Sequence, residues 1–157
     1  MKKLLFRFVM LSAALLIATI TTASAKERFY ANLTGDQETP AVKTDAKGEA
    51  VFHLMKDGKE LGYKLTVSKI ENVTAAHIHM GKKGVEGPPL VGLFAGPKKE
   101  GSFNGVLAKG TLTNKDLTGH LSGKTVKDLV NMIKSGETYV NVHTDKYPNG
   151  EIRGQIK

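Results

Sequence analysis

Short runs of β-forming residues, divided by Gly, Pro, Asn and Asp, fill most of the chain from residue 29 onward. In GEAVFHLM and TYVNVHT, apolar and polar side chains alternate, which is the period of a strand with one buried face. Asp57-Gly58 divides two runs, and both residues tolerate the positive φ of a hairpin turn. The pattern predicts an all-β sandwich or barrel of about eight strands. The predicted strands cover residues 29–33, 48–55, 61–70, 73–80, 90–96, 102–113, 138–144 and 151–157.

One segment, TVKDLVNMIKSGE, breaks the strand period. Its apolar residues recur at i, i+3, i+4 and i+7, which is one face of a helix. They are Val126, Leu129, Val130 and Ile133. Thr125 and Asp128 can cap the first turn, and Gly136 lies just past the last turn. The spacing predicts one short helix at about residues 126–134, with its apolar stripe facing the core.

The N-terminus has the organisation of a secretory signal peptide. Lys2, Lys3 and Arg7 precede an apolar run, and Ala23-Ser24-Ala25 is a small-residue cleavage site. The apolar run is short for a membrane span of about 20 residues, so we expect residues 1–25 to be removed. Residues 26–157 would then form a single domain.

A cleaved signal peptide has consequences for localisation, disulfides and glycosylation. We expect a secreted or periplasmic protein that has no stable membrane insertion after signal cleavage. The sequence contains no Cys, so the core must hold the fold without disulfides, and no lipid-attachment Cys is present. Asn32 and Asn72 begin glycosylation sequons, and the sequence leaves open whether either is modified.

The net charge of +8 falls to about +5 when the three basic residues of the signal are removed. The Lys residues are scattered, with no long basic run and no interleaved aromatic residues. Nucleic acid is therefore not an expected partner. A cationic exterior is compatible with an unidentified protein or polysaccharide of the cell envelope.

Two histidines, His77 and His79, stand one residue apart in AAHIHM. Because strand side chains alternate, Ile78 and Met80 face the core, and the imidazoles share the outer face. Their Cα atoms lie roughly 6.5 Å apart on a strand, so both rings can reach one metal at about 2.0–2.1 Å. The H-x-H spacing permits chelation, and it equally suits a hydrogen-bonded polar face.

The two C-terminal runs carry more polar side chains on their outer faces. Asn141 and His143 alternate with core valines, and Glu151 and Arg153 alternate with core isoleucines. If the run of His143 lies beside AAHIHM, three imidazoles form a site that suits copper first and zinc second. Three protein ligands would leave a position open for water or substrate. The alternative is a polar network, since a nearby Arg153 opposes a cation.

Three motifs resemble the CHRD domain, a module named from chordin: LTGDQETPAV, AHIHMG and YVNVHTDKYPNGEIRGQI. The similarity runs from about Phe29 to Ile156 and keeps the family's order. It implies an immunoglobulin-like β-sandwich or Greek-key barrel related to copper/zinc superoxide dismutases. In chordin the domain belongs to a secreted growth-factor antagonist, so the resemblance implies a fold more than an activity.

The dismutase likeness also implies roles for particular residues. AHIHMG is similar to the strand that supplies two copper ligands, and His143 would supply a further ligand. Arg153 matches the arginine that guides the anion, with Asn141 and Glu151 as supporting residues. A two-metal centre is excluded because the loop after Gly81 has no His, and the dismutase disulfide has no Cys.

Two functional hypotheses follow. The first is a secreted, non-catalytic CHRD binding module, in which Glu38 and Pro40 of DQETPAV fix a loop. The second is a copper or zinc protein with a three-histidine, dismutase-like site and at most weak redox activity. We lean against an enzyme, because the chain offers no Ser-His-Asp or Cys-His arrangement.

Overall fold

A computed structural model describes residues 27–55 and 57–157. This part of the chain contains seven strands and one α-helix: β1 (Arg28–Thr34), β2 (Lys47–Leu54), β3 (Leu61–Met80), β4 (Pro89–Phe94), β5 (Lys99–Leu112), α1 (Val126–Lys134), β6 (Thr138–Thr144) and β7 (Ile152–Gln155). The all-β class and the helix at residues 126–134 are confirmed, whereas the strands number seven rather than about eight. The expected signal peptide, residues 1–25, lies outside the described residues.

Five of the strands close into an antiparallel barrel. β1 pairs with β2 and β7, β7 pairs with β6, β6 pairs with β3, and β3 pairs back with β2. β4 and β5 pair with β3 outside this ring. Closing the sheet allows every second side chain of the barrel strands to point into one shared interior.

The missing strand is explained by β3, which joins two runs that the sequence separates. Lys69, near the end of the first run, and Asn72, between the two runs, have φ values of 53° and 50°. The backbone N–H of Lys69 donates to Asn104 Oδ1 at 2.8 Å, and Asn72 Oδ1 accepts from the N–H of Gly101 at 2.8 Å. These residues bend the strand, but β5 keeps pairing on both sides of the bend. Glu71-Asn72 therefore marks a bulge within one strand.

Apolar side chains fill the barrel from alternate strand positions. Phe52 of β2, Leu65 and Ile78 of β3, Val140 of β6 and Ile152 of β7 are all fully buried. Burying a side chain of this size contributes about 1.5–3 kcal/mol relative to leaving it exposed. The apolar faces therefore fix which residues of β3, β6 and β7 point outward.

Helix α1 has the capped, amphipathic form that its sequence predicts. Its four apolar residues, Val126, Leu129, Val130 and Ile133, are buried. Asp128 accepts from the backbone N–H of Thr125 at 2.9 Å, and Thr125 Oγ1 accepts from the N–H of Asp128 at 3.3 Å. Within residues 27–55 and 57–157, no helix has the length and apolar character needed to cross a membrane.

Candidate functional site

Strand pairing brings the three histidines of the outer face together. β6 lies beside β3, with Ala75 opposite His143 and His77 opposite Asn141. Ala75, His77 and His79 share one face of β3 because side chains alternate. His143 therefore lies diagonally across from His77, as the sequence hypothesis requires.

The three imidazoles converge on one point. His77 Nδ1 lies 3.1 Å from His143 Nε2. One ring nitrogen from each of His77, His79 and His143 lies within 4.8 Å of the others. Two nitrogens bound to one metal at about 2.0–2.1 Å stand roughly 2.9–3.4 Å apart at angles between square and tetrahedral. The His77–His143 pair already has this separation.

Backbone carbonyls set the tautomers of two of the rings. His79 Nδ1 lies 2.8 Å from the carbonyl oxygen of Gly87, and His143 Nδ1 lies 2.9 Å from that of Pro148. A carbonyl only accepts, so each Nδ1 donates and each Nε2 keeps its lone pair. His79 Nε2 is buried and has no hydrogen-bond partner among the described residues. Carbonyl-oriented imidazoles with free nitrogens are the usual arrangement around a metal.

The environment keeps the three rings neutral. Burial, together with the neighbouring His143 and His79, lowers the pKa of His77 to about 4. Burial is also the main cause of the lowered pKa values of His79 and His143, against hydrogen bonds to backbone carbonyls that raise them. Neutral imidazoles can bind a metal without first losing a proton.

The histidine face is covered rather than open to water, which differs from the expected exposed outer face. All three rings are partly buried. The loop at residues 81–88 contacts His79 through the carbonyl of Gly87, and Arg153 donates to the carbonyls of Lys82 at 3.1 Å and Val85 at 2.8 Å in the same loop. The N–H of Gly87 donates to the hydroxyl of Tyr139 at 3.3 Å. Side chains of β6 and β7 therefore hold this loop over the site.

Arg153 lies in a stack on the histidine face and is only 2 % exposed. Its guanidinium carbon is 3.4 Å from the centre of the Tyr139 ring. Tyr139 in turn stacks on His79, with ring centres 5.2 Å apart and planes at 20°. The positive charge is thus engaged by an aromatic ring and by loop carbonyls.

The structure separates the two supporting residues. Asn141 is buried beside the histidines, and its Nδ2 donates to the carbonyl of Asn149 at 3.4 Å. The carboxylate of Glu151 accepts from the hydroxyls of Thr44 at 2.7 Å and Thr144 at 2.8 Å. Thr144 follows His143 on β6, so it projects from the opposite face. Glu151 is therefore not brought into the histidine cluster.

Glu38 and Pro40 lie in the loop that follows β1. Glu38 Oε1 is buried and has no hydrogen-bond partner among the described residues, and Pro40 is exposed. Burial raises the pKa of Glu38 to about 7, against the lowering effect of the Arg153 charge. The backbone N–H of Thr39 also lowers the pKa of Glu38, and the loop-fixing role of Glu38 and Pro40 stays a prediction.

Two backbone carbonyls and one side chain contribute to the site and are hard to recognise in the sequence. The carbonyls of Gly87 and Pro148 belong to loops whose paths depend on the whole fold. Tyr139 alternates with core valines, but nothing in the pattern reveals that it links His79 to Arg153.

The CHRD domain family model matches residues 29–156, almost all of the part that the structure describes. No curated protein matches the chain. No solved structure matches it either.

Proposed function

The chain belongs to the CHRD domain family, and we propose that it is an exported, non-catalytic binding module that holds one copper ion at its three histidines. His77 Nδ1, His79 Nε2 and His143 Nε2 are the proposed ligands. The observation that carries the proposal is the orientation of His79 and His143 by backbone carbonyls. It leaves a neutral Nε2 on each ring, and that of His143 lies 3.1 Å from His77 Nδ1.

In the absence of metal, His77 Nδ1 donates to His143 Nε2, because the latter carries a lone pair. A metal would replace this hydrogen bond, and the proton of His77 would reside on its Nε2 instead. The buried, unpartnered Nε2 of His79 supports a ligand role, since a buried polar atom without a partner is costly.

Copper is favoured over zinc because divalent copper binds a given nitrogen site more tightly than zinc does, although imidazole suits both metals. With either metal, three protein ligands leave room for a water molecule. The charge of Arg153 opposes a cation, but its contacts with Tyr139 and the loop carbonyls offset part of this effect.

The finer fold assignment is part of the same proposal. We assign the five-stranded barrel to the immunoglobulin-like, dismutase-related class, with β3 and β6 as the ligand strands. A two-metal dismutase centre is not included, because the loop after Gly81 contains no His.

The test is a titration of the purified protein with copper(II) and zinc(II), monitored by calorimetry and, for copper, by electron paramagnetic resonance. We expect one-to-one binding and a spectrum of nitrogen coordination. His77→Ala and His79→Ala should each weaken binding by at least about tenfold. His120→Ala is the matched control, because His120 is exposed on a different loop.

Weak binding, or binding that the His77 and His79 variants leave unchanged, would contradict the copper site. The histidines would then form a hydrogen-bonded network, and the protein would be a CHRD module for a protein or polysaccharide of the envelope.

A further inference from the structure

A second site lies where β6 ends and the chain turns toward β7. It is a cleft of about 780 Å³, a volume within the usual range of ligand sites. Four parts of the chain form it: the loop before β2, the bend of β3, the first half of β5 and the β6–β7 connection. None of its lining residues is a member of the three-histidine cluster.

The floor of the cleft is a buried carboxylate. Glu151 is 7 % exposed, and its two oxygens accept from the hydroxyls of Thr44 and Thr144. A carboxylate has about four lone-pair positions, so these two bonds leave acceptor capacity. Glu151 therefore presents an oriented acceptor to any hydroxyl group that enters the cleft.

One wall contains unusual backbone. Lys69 and Asn72, both with positive φ, line the cleft at the bend of β3. Asn104 and Asn72 use their side-chain oxygens to accept from backbone N–H groups, which fixes the bend. Both asparagines line the cleft, and these two hydrogen bonds leave their amide nitrogens as donors. Strained backbone of this kind clusters at binding sites.

The charges of the lining residues balance. Lys43, Lys69 and Lys146 stand against Asp45, Glu71 and Glu151. The remaining acid of the lining, Asp145, is paired with Lys98 at 2.9 Å. A lining with no dominant sign favours neither a polyanion nor a cation. Groups that both donate and accept are the best match for it.

Among the lining residues, only Tyr147 carries a large apolar surface. Lys146 Nζ lies 5.2 Å from the centre of its ring. Lys146 is exposed, so a ligand can displace its ammonium from the ring at little cost. The cleft thus combines one aromatic platform with a surround of donors and acceptors.

We propose that this cleft binds an uncharged oligosaccharide. Each sugar hydroxyl both donates and accepts, so it can pair with a carboxylate such as Glu151 and an amide such as Asn104. The apolar face of a pyranose ring would pack on Tyr147. The proposal is independent of the copper site, because no histidine takes part in it.

The test is a calorimetric titration of the purified protein with chitohexaose and, separately, with maltohexaose. We expect saturable binding of at least one of them, changed less than about twofold between roughly 50 and 300 mM NaCl. Tyr147→Ala should weaken that binding at least about tenfold, and Tyr147→Phe, which keeps the ring, by less than about twofold. Glu71→Gln is a second variant that avoids the β6–β7 connection, and about threefold weakening is expected.

His77→Ala separates the two proposals, because it should weaken copper binding by at least about tenfold and leave oligosaccharide binding unchanged. Three outcomes would overturn the cleft proposal. They are no binding of either oligosaccharide, equal loss in Tyr147→Ala and Tyr147→Phe, and binding confined to polygalacturonate that added salt abolishes.

Discussion

His77 and His143 face each other across β3 and β6, with Nδ1 of His77 3.1 Å from Nε2 of His143. This distance suits both a hydrogen bond and two ligands on a single metal. The carbonyl of Pro148 decides the role of His143, because it fixes the proton on Nδ1 and leaves Nε2 as the acceptor. In the described structure this pair of nitrogens therefore already has the separation that the proposed metal would require, whereas the three histidine nitrogens together lie within 4.8 Å of one another.

The neutral state of the histidines predicts that metal uptake releases few protons. Burial lowers the pKa of His77 to about 4, and it lowers the pKa values of His79 and His143 as well. At pH 7 none of the three needs to lose a proton, and His77 only exchanges its proton between ring nitrogens. Zinc-binding enthalpies at pH 7, measured in buffers of different ionisation enthalpy, should agree after correction for zinc–buffer binding.

The same titrations at about pH 5 provide the control. His77 should still bind without net proton release, whereas an unperturbed histidine near pKa 6.5 would release almost one proton. A release of about three protons at pH 5 would show that the rings are ordinary surface histidines.

Glu38 predicts a pH dependence of stability. Its folded-state pKa is about 7, above the usual 4.5, so the folded protein binds the extra proton between these values. Stability from this group is present below pH 4.5 and is lost as the pH rises through 7. Glu38→Gln, which stays neutral, should match the natural protein near pH 4.5. At pH 8 it should be more stable by on the order of 1 kcal/mol after solvent screening.

Urea unfolding of both proteins at pH 4.5, 6 and 8 measures the effect. Asp36→Asn is the matched control, since Asp36 is an exposed acid two residues away. A natural protein that gains stability relative to Glu38→Gln as the pH rises would show that Glu38 is ionised and well paired.

An added methyl group at Gly150 should destabilise the fold. Its φ is 131°, and an added Cβ would clash with Glu38 Oε1 and lie 2.9 Å from Asn141 Nδ2. Gly150→Ala combines this crowding with backbone strain, so we expect a loss of about 2–4 kcal/mol in thermal or urea unfolding.

Gly105→Ala is the control for Gly150→Ala. Gly105 also has a positive φ, of 138°, but a Cβ there would meet nothing within 4 Å. It has the backbone strain without the crowding, so its loss should be smaller than that of Gly150→Ala by at least about 1 kcal/mol. Equal losses in the two variants would mean that contact with Glu38 and Asn141 contributes nothing.

The sequence predicts the helices and strands better than it predicts which strands are continuous. The bounds of α1 follow from its caps and its apolar spacing, because both signals are local. The pairs β2–β3 and β6–β7 also follow from local alternation and turns. The sequence predicts two strands where the structure has β3, because Glu71-Asn72 resembles a turn. Pairing with β5 on both sides of these residues makes them part of one strand.

The histidine site was predictable in membership but not in environment. Alternation places His77, His79 and His143 on outer faces, and the β3–β6 pairing then brings them together. The cover over them could not be predicted, because it depends on the loop at residues 81–88 folding back. Alternation also placed Glu151 beside the histidines, and this prediction was wrong. Glu151 precedes β7, and its side chain accepts from Thr44 and Thr144 instead.

The contacts of Arg153 hold the loop at residues 81–88, and their removal is the last prediction. Its planar guanidinium lies on Tyr139 while Nη2 donates to the carbonyls of Lys82 and Val85. The ammonium of a Lys keeps the charge, but it lacks the planar guanidinium that stacks on Tyr139 and directs several N–H groups at fixed angles. We expect Arg153→Lys to cost about 2 kcal/mol, which lowers the melting temperature by roughly 4–10 °C. Hydrogen exchange of the amides of residues 81–88 should accelerate more than exchange in α1, since the loop loses its attachment.

Arg28→Lys is the matched control for Arg153→Lys, because Arg28 is exposed at the start of β1. It should change the melting temperature by no more than about 1 °C. If Arg153→Lys also leaves both the melting temperature and loop exchange unchanged, the loop is held by other contacts, such as Gly87 with Tyr139. The cover of the histidine site would then not depend on the guanidinium of Arg153.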